Sequence, residues 1–192
     1  MQVFAHGGIC VSDGKGAVYL DPSRGRPDGV VTHAHSDHLR PRTHMTPATA
    51  EVMHARTGSR KAQLHGYREP FTVRGIEVEF YDAGHVIGSA MVAVDGGRVL
   101  YTGDFNPYGT ITAGRAEPQR CETLVIEATY GKPEQVLPPR QRVLRDLQGW
   151  MLAVAANGGG IVGAYTLGKA QEVVAAANAA GLRPAVSDEV GE

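Results

Sequence analysis

The chain has 192 residues, 42% of them apolar, with 19 Lys and Arg against 20 Asp and Glu and a formal net charge of −1. That length buries one good core and is too short for two full domains, and the near-zero charge excludes a partner held by overall electrostatics, so any groove for a polyanion has to be local. The two cysteines, Cys10 and Cys121, lie far apart and outside any CxxC spacing. This excludes a disulfide framework and a thiolate zinc knuckle, and with no basic-then-apolar leader and no run of about 18 apolar residues a soluble chain of the reducing cytoplasm, without a membrane partner, is expected.

In chain order, residues 17–21 (AVYLD) and 29–33 (GVVTH) are short apolar runs rich in β-branched residues, the pattern of buried strands, and each ends in a ligand-type side chain. Thr46-Pro47 followed by ATAEVMHAR supplies an N-cap, a proline at the first helical position and Glu51 near the first turn, which predicts a helix over 47–57. FTVRGIEVEFYDA alternates around Arg74-Gly75, and SAMVAVDGGRVLYTGD around Asp95-Gly96-Gly97, so each is expected to be a hairpin. The 25 glycines and 11 prolines fall between such segments and mark tight turns rather than disorder. Beyond residue 122, TLVIEA predicts a strand and residues 139–156 a helix with Val143, Leu147, Trp150, Met151 and Val154 on one core-facing stripe. IVGAY then predicts a strand, residues 168–180 a helix with Ala170, Val173, Val174 and Ala177 inward, and RPAVSDEVGE the start of another extended piece. Strands alternating with helices predict parallel pairing.

The segment THAHSDHL puts His33, His35, Asp37 and His38 within six residues, directly after a predicted buried strand. Imidazole and carboxylate are ligands that divalent zinc or manganese accept, and a loop leaving a strand can turn all four toward one pocket; a hydrogen-bonded polar turn is the disfavoured alternative. His85 in AGHVIGSA and Asp104 in YTGDF also follow or end predicted strands. His6, His44, His54 and His65 sit in unrelated contexts and are expected as surface or capping residues. Arg40, Arg42, Arg56, Arg60 and Lys61 gather around the ligand loop and its helix, where they either guide a phosphate backbone or are simply solvated. Phe105 and Tyr108, beside Asp104, either line a pocket or latch the site from beneath.

HxHxDH is the signature of the metallo-β-lactamase superfamily, and the chain resembles that family also at Asp21, His85 and Asp104, in the expected order. The resemblance implies an α/β (α+β) fold, an αββα sandwich over residues 1–122. It further implies a site for two Zn2+, with Mn2+ as the alternative: His33, His35 and His85 on one metal, Asp37 and His38 on the other, Asp104 bridging, and Asp21 orienting the ligand loop through hydrogen bonds. HxHxDH alone does not choose a substrate, because the superfamily also hydrolyses thioesters and lactams. GHVIGSA resembles the third motif of the β-CASP nucleases, the branch of RNA 3'-end processing endonucleases, RNase J and DNA-repair nucleases, with Gly84 and Gly88 letting backbone approach a metal or phosphate. LVIEATYG resembles the acidic motif that opens the β-CASP region, and TLGKAQEV a later segment of it. Residues 123–192 are therefore expected to begin a β-CASP α/β cap, with Glu127 joining Asp37 as a catalytic residue.

In that family the β-CASP region continues and supplies two further histidines, one a metal ligand and one suited to protonating the leaving oxygen, whereas no histidine follows His85 here. The expectation is the N-terminal part of a longer protein, completed by a C-terminal chain or acting as a homodimer. The function implied is metal-dependent hydrolysis of phosphodiesters in RNA, or single-stranded DNA, by exonuclease or endonuclease action in RNA processing or decay. A thioester or other small-molecule hydrolase of the same fold, and a catalytically incomplete partner subunit, are the alternatives.

Overall fold

A computed structural model describes residues 1–191, and they divide into two compact units, Met1–Glu127 and the residues from Ala128 onward. The first unit holds two sheets. Strands β1 (Gln2–Ala5), β2 (Ile9–Ser12), β3 (Ala17–Leu20), β4 (Gly29–Val30), β5 (His44–Met45) and β6 (Gln63–Leu64) lie side by side in sequence order. The first three pair antiparallel, and β3 to β6 run parallel. The second sheet contains β7 (Phe71–Val73), β8 (Ile76–Asp82), β9 (Ala90–Val94), β10 (Val99–Tyr101) and β11 (Thr123–Val125), in the order β11-β10-β9-β8-β7. Both expected hairpins form, β7–β8 and β9–β10, and in the second Asp95 adopts φ 54° ahead of two glycines, a conformation Asp tolerates better than most residues.

Period-two patterning decides which faces meet. On β8, Ile76, Val78 and Phe80 are buried while Glu77 is exposed, and the inward residues join Val11, Val18, Leu20 and Val30 of the first sheet in one apolar cluster between the two sheets. Each such side chain removed from water contributes about 1.5–3 kcal/mol. β9 is buried at all five positions, so its other face needs a cover as well. Met91 and Ala93 pack with Ala83, Leu100 and Ala116, flanked by Phe105 and Cys121, so here the irregular segment between β10 and β11, not a helix, covers the second sheet.

Between β5 and β6 the chain forms α1 (Pro47–Thr57), with the expected bounds. Thr46 caps it by accepting a hydrogen bond from Thr49 N–H at 3.2 Å, Pro47 opens it, and Gly58 closes it at φ 69° with its N–H on His54 O. β11 pairs in parallel with β10, so β11 and Glu127, assigned by the sequence reading to the second segment, sit in the first unit.

In the second unit α2 (Arg140–Ala156) packs on α3 (Lys169–Ala179), burying Met151, Ala170, Ala176 and Ala177, and α4 (Asp188–Gly191) follows. Arg140 and Glu172 join the two helices as an ion pair. Three expectations fail there. Ile161–Tyr165 is not a strand, Ile161 being 96% exposed; the residues after Arg183 turn into α4; and Val143 and Trp150, expected on the core-facing stripe, are 45% and 44% exposed. A strand needs a hydrogen-bonded neighbour, and the described residues of this unit contain no strand to provide one. No described helix is long and apolar enough to cross a membrane.

Two histidines expected at the surface are structural. His44 is only 5% exposed; its Nε2 lies 3.0 Å from Pro27 O and its Nδ1 2.9 Å from His65 Nε2, while His65 stacks on Phe71 with ring centres 3.6 Å apart. Because a carbonyl only accepts, His44 Nε2 carries the proton and Nδ1 accepts from His65, an arrangement that holds only while His44 is neutral. Burial pushes both imidazoles below their ordinary value, and for His65 the neighbouring His44 adds to this. The folded state thus binds fewer protons than the unfolded one, so stability is full above about pH 6.5 and declines as pH falls below it. Urea unfolding between pH 7.5 and 5 is expected to show this loss, with the His44 ring proton in NMR spectra titrating below pH 6.5.

Candidate metal centre

Because β3 to β6 are parallel, their C-terminal ends open on one edge of the first sheet. Asp21 follows β3, the ligand loop follows β4 and Thr46 follows β5. Asp104 follows β10 of the second sheet, and His85 sits on the loop Ala83–Ser89 between β8 and β9. The sandwich edge therefore gathers four ligand atoms, from His33, His35, His85 and Asp104, all within 4.8 Å of one another. His33 Nε2 is 2.9 Å from His35 Nδ1, which is 3.2 Å from His85 Nε2. Asp104 Oδ2 lies 3.5 Å from His85 Nε2 and 3.8 Å from His33 Nε2.

The hydrogen bonds behind His33 determine its tautomer. Thr32 Oγ1 lies 2.8 Å from Asp21 Oδ2 and 2.9 Å from His33 Nδ1. The hydroxyl has one proton, which goes to the carboxylate, so His33 Nδ1–H donates to Thr32 and the Nε2 lone pair faces the site. Burial, reinforced by the imidazoles of His38, His35 and His85, pushes His33 down to about 2, so it is neutral as a ligand must be. Three imidazole nitrogens and a carboxylate, one tautomer already set, fit a divalent cation of the zinc type.

Asp37 and His38 occupy a single helical turn closed by His38 N–H and Leu39 N–H on His35 O, at 3.1 and 2.8 Å. They lie beside the four convergent ligands rather than among them: the Asp37 side chain is 78% exposed and its Oδ2 is 3.6 Å from His38 Nε2. His38 Nδ1 approaches Asp21 Oδ2 at 2.8 Å as a charge contact without hydrogen-bond alignment. Burial pulls the His38 pKa down, but Asp21, Asp104 and Asp37 together outweigh it and hold it above the ordinary value. Burial raises Asp104, with His38 opposing and nearby Glu127 adding to the rise.

Glu127 faces this region from the end of β11, its Oε1 accepting from Phe105 N–H at 3.2 Å, so it braces the turn that carries Asp104. Phe105 packs beneath that turn, whereas Tyr108 is 87% exposed and latches nothing. Of the basic group, Arg56 and Arg40 are occupied by loop carbonyls, Arg56 by Ala34 O at 3.2 Å and Arg40 by Ser36 O at 3.0 Å. Arg42, Arg60 and Lys61 precede the parallel strands β5 and β6 and so belong to the opposite edge of the sheet from the ligands, which removes them as a guide into the site. The sequence reading missed Thr32 and Tyr101. Tyr101 Oη donates to Asp21 Oδ2 at 3.0 Å from 80 positions away, a contact with no local sequence signal.

Gly84 was expected to admit a metal or phosphate but instead admits backbone. A Cβ there would lie 2.4 Å from Ala116 N and 2.5 Å from Asn106 O, at φ 65°. Gly84→Ala is therefore expected to destabilise the protein by about 2 kcal/mol or more, read by urea unfolding, and to loosen the loop bearing His85.

No protein-family model matches the chain. Its relatives include an RNase J-like protein of Methanocaldococcus jannaschii, 35% identical over 58% of this chain and 28% of that protein. A probable DNA ligase of Opitutus terrae is 31% identical over 81% of this chain and 16% of its own length. Cleavage and polyadenylation specificity factor subunit 3 of Dictyostelium discoideum is 35% identical over 56% of this chain and 14% of its own. The chain thus spans 14–28% of the length of these three relatives. With candidate ligand residues gathered at the edge of a two-sheet sandwich, these similarities support the resemblance of the chain to the metallo-β-lactamase superfamily and its β-CASP branch.

Proposed function

We propose that the protein is a metal-dependent nuclease that hydrolyses phosphodiester bonds of RNA in RNA processing or decay. The observation that carries this reading is the convergence of His33, His35, His85 and Asp104, in a chain whose relatives include an RNase J-like protein. In this reading His33, His35 and His85 would hold one Zn2+ (or Mn2+), Asp37 and His38 would hold the second, and Asp104 would be a ligand shared by the two. Divalent cations there supply charge stabilisation on phosphoryl oxygens and acidify an attacking water. The chain's own side chains hold the ligands in place. Asp21 fixes Thr32 and through it the His33 tautomer, Glu127 braces the Asp104 turn, and Asp37 is open to solvent with a side chain 78% exposed. As the described residues offer no histidine beyond His85, a complementing C-terminal chain or a homodimer is part of the proposal, as is a cytoplasmic setting, which suits the free thiols of Cys10 and Cys121. Single-stranded DNA is the second reading, favoured because the probable DNA ligase is matched over 81% of this chain.

The test uses the whole chain loaded with zinc or manganese and offered labelled single-stranded RNA, single-stranded DNA and a chromogenic thioester, each with and without chelator. RNA cleavage lost on chelation and in Asp37→Ala is the expected result. Cleavage of DNA alone establishes the second reading, cleavage of the thioester alone a small-molecule hydrolase, and bound metal without any turnover an incomplete partner subunit. Asp21→Asn is expected to weaken zinc affinity about 10- to 100-fold, measured by calorimetric titration, because it disturbs His38 and Thr32 together.

A further inference from the structure

We propose that the hydroxyls of Thr49 on α1 and Tyr67 after β6 are positioning groups for His85, holding the loop that carries it from two sides. The inference rests on the reading of His85 as a metal ligand. The loop Ala83–Ser89 spans two antiparallel strands and reaches over to the edge where the other ligands collect. Its internal hydrogen bonds stiffen it: Ser89 Oγ accepts from His85 N–H at 3.1 Å and from Val86 N–H at 3.2 Å, and Ser89 N–H donates to Val86 O at 3.0 Å. These bonds shape the loop without fixing where it stands against the first sheet. That takes groups from outside it.

Asn106 N–H, donating to Ala83 O at 2.7 Å, holds the loop's first residue, and two side-chain contacts hold its last two. At Gly88, the carbonyl accepts from Thr46 Oγ1 at 2.7 Å and from Thr49 Oγ1 at 3.0 Å. Gly88 lies so close to α1 that a Cβ on it would come within 2.6 Å of Thr49 N. At the base, Tyr67 Oη donates to Ser89 O at 2.9 Å, and that carbonyl also takes Ala83 N–H at 3.1 Å. Helix capping accounts for Thr46, whose hydroxyl accepts from Thr49 N–H, but it does not account for Thr49. At the third helical position a capping box would use a Glu or Gln reaching back to the cap residue. Thr49 instead is fully buried and directs its hydroxyl to the carbonyl of a segment 39 positions on. Burial of a hydroxyl is unfavourable unless its hydrogen bond is made, so this placement ties α1 to the His85 loop. With Gly88 held by α1 and Ser89 by Tyr67, the returning end of the loop is fixed, and His85 Nε2 stands 3.2 Å from His35 Nδ1 and 3.5 Å from Asp104 Oδ2.

The test is zinc affinity by competition with a chromogenic chelator, with the visible d–d spectrum of the cobalt(II)-loaded protein as the signature of ligand geometry. Thr49→Val keeps the side-chain volume and leaves the Thr46 cap in place, and Tyr67→Phe removes only the phenol oxygen. Each is expected to weaken zinc binding about 10-fold and to shift the cobalt spectrum, while the metal-free proteins unfold within a few degrees of the parent. Thr49→Ser restores affinity. Should Thr49→Val not fold, Tyr67→Phe decides. Parental affinity and spectrum in every folded variant overturn the inference, as does a loss of metal-free stability that accounts for the whole change. His85→Ala, measured alongside, separates the two levels: if it too binds zinc like the parent, the ligand reading fails and the inference with it; if it binds weakly while the hydroxyl variants do not, only the positioning role fails.

Discussion

The carboxylate of Asp21 is the constraint on which the site depends. It stands at the end of β3 with a side chain only 6% exposed, and a charge so placed is tolerated only if its oxygens are matched. Thr32 N–H donates to Oδ1 at 2.8 Å, and Thr32 Oγ1 and Tyr101 Oη donate to Oδ2 at 2.8 and 3.0 Å, with His38 in charge contact. Thr32 leads directly into His33, and Tyr101 closes β10 three residues before Asp104. One side chain therefore joins the ligand-bearing ends of both sheets and sets which ring nitrogen of His33 faces the centre. Asp21 sits at φ 45°, a left-handed conformation that Asp adopts more readily than most side chains, and its backbone N–H is taken by Val30 O at 2.8 Å.

Around that anchor the sandwich divides its labour. Parallel strands of the first sheet deliver Asp21 and the HxHxDH loop to one edge, and the second sheet delivers His85 and Asp104 to the same edge, so the candidate ligands sit on separate loops anchored at the strand ends of both sheets. The central strand β9 of the second sheet is buried on both faces, by the first sheet on one and by the segment carrying Phe105, Ala116 and Cys121 on the other. That segment also contains Asn106, whose carbonyl accepts from Ala116 N–H at 2.8 Å where it passes Gly84. Core packing and ligand placement thus share residues, and glycine at 84 serves the packing.

How much was legible in the sequence differs by kind of residue. Local chemistry was readable: the Thr46-Pro47 start of α1, both hairpins with their turn residues, and the alternation of β8 depend on neighbours in the chain and appear where expected. The second unit was less readable, because Ile161–Tyr165 has the composition of a strand yet finds no strand beside it among the described residues. The role of the basic residues near the ligand loop stayed open in the sequence for a similar reason. Closeness in sequence to His38 says nothing about which end of a parallel strand Arg42 and Lys61 occupy.

From the sequence by itself came the candidate ligand residues and their order along the chain, since HxHxDH, the His85 motif and Asp104 are dense, local and chemically specific. Only the tertiary structure decided how they meet. It brought four of them within 4.8 Å, left Asp37 exposed beside them, and set the His33 tautomer through Thr32 and Asp21. It also recruited Tyr101, Thr49 and Tyr67, whose sequence contexts are unremarkable. The physical reason is that a hydrogen bond is a relation between two positions in space. Strand pairing and sheet stacking choose those positions, and they do so over separations that no local pattern encodes.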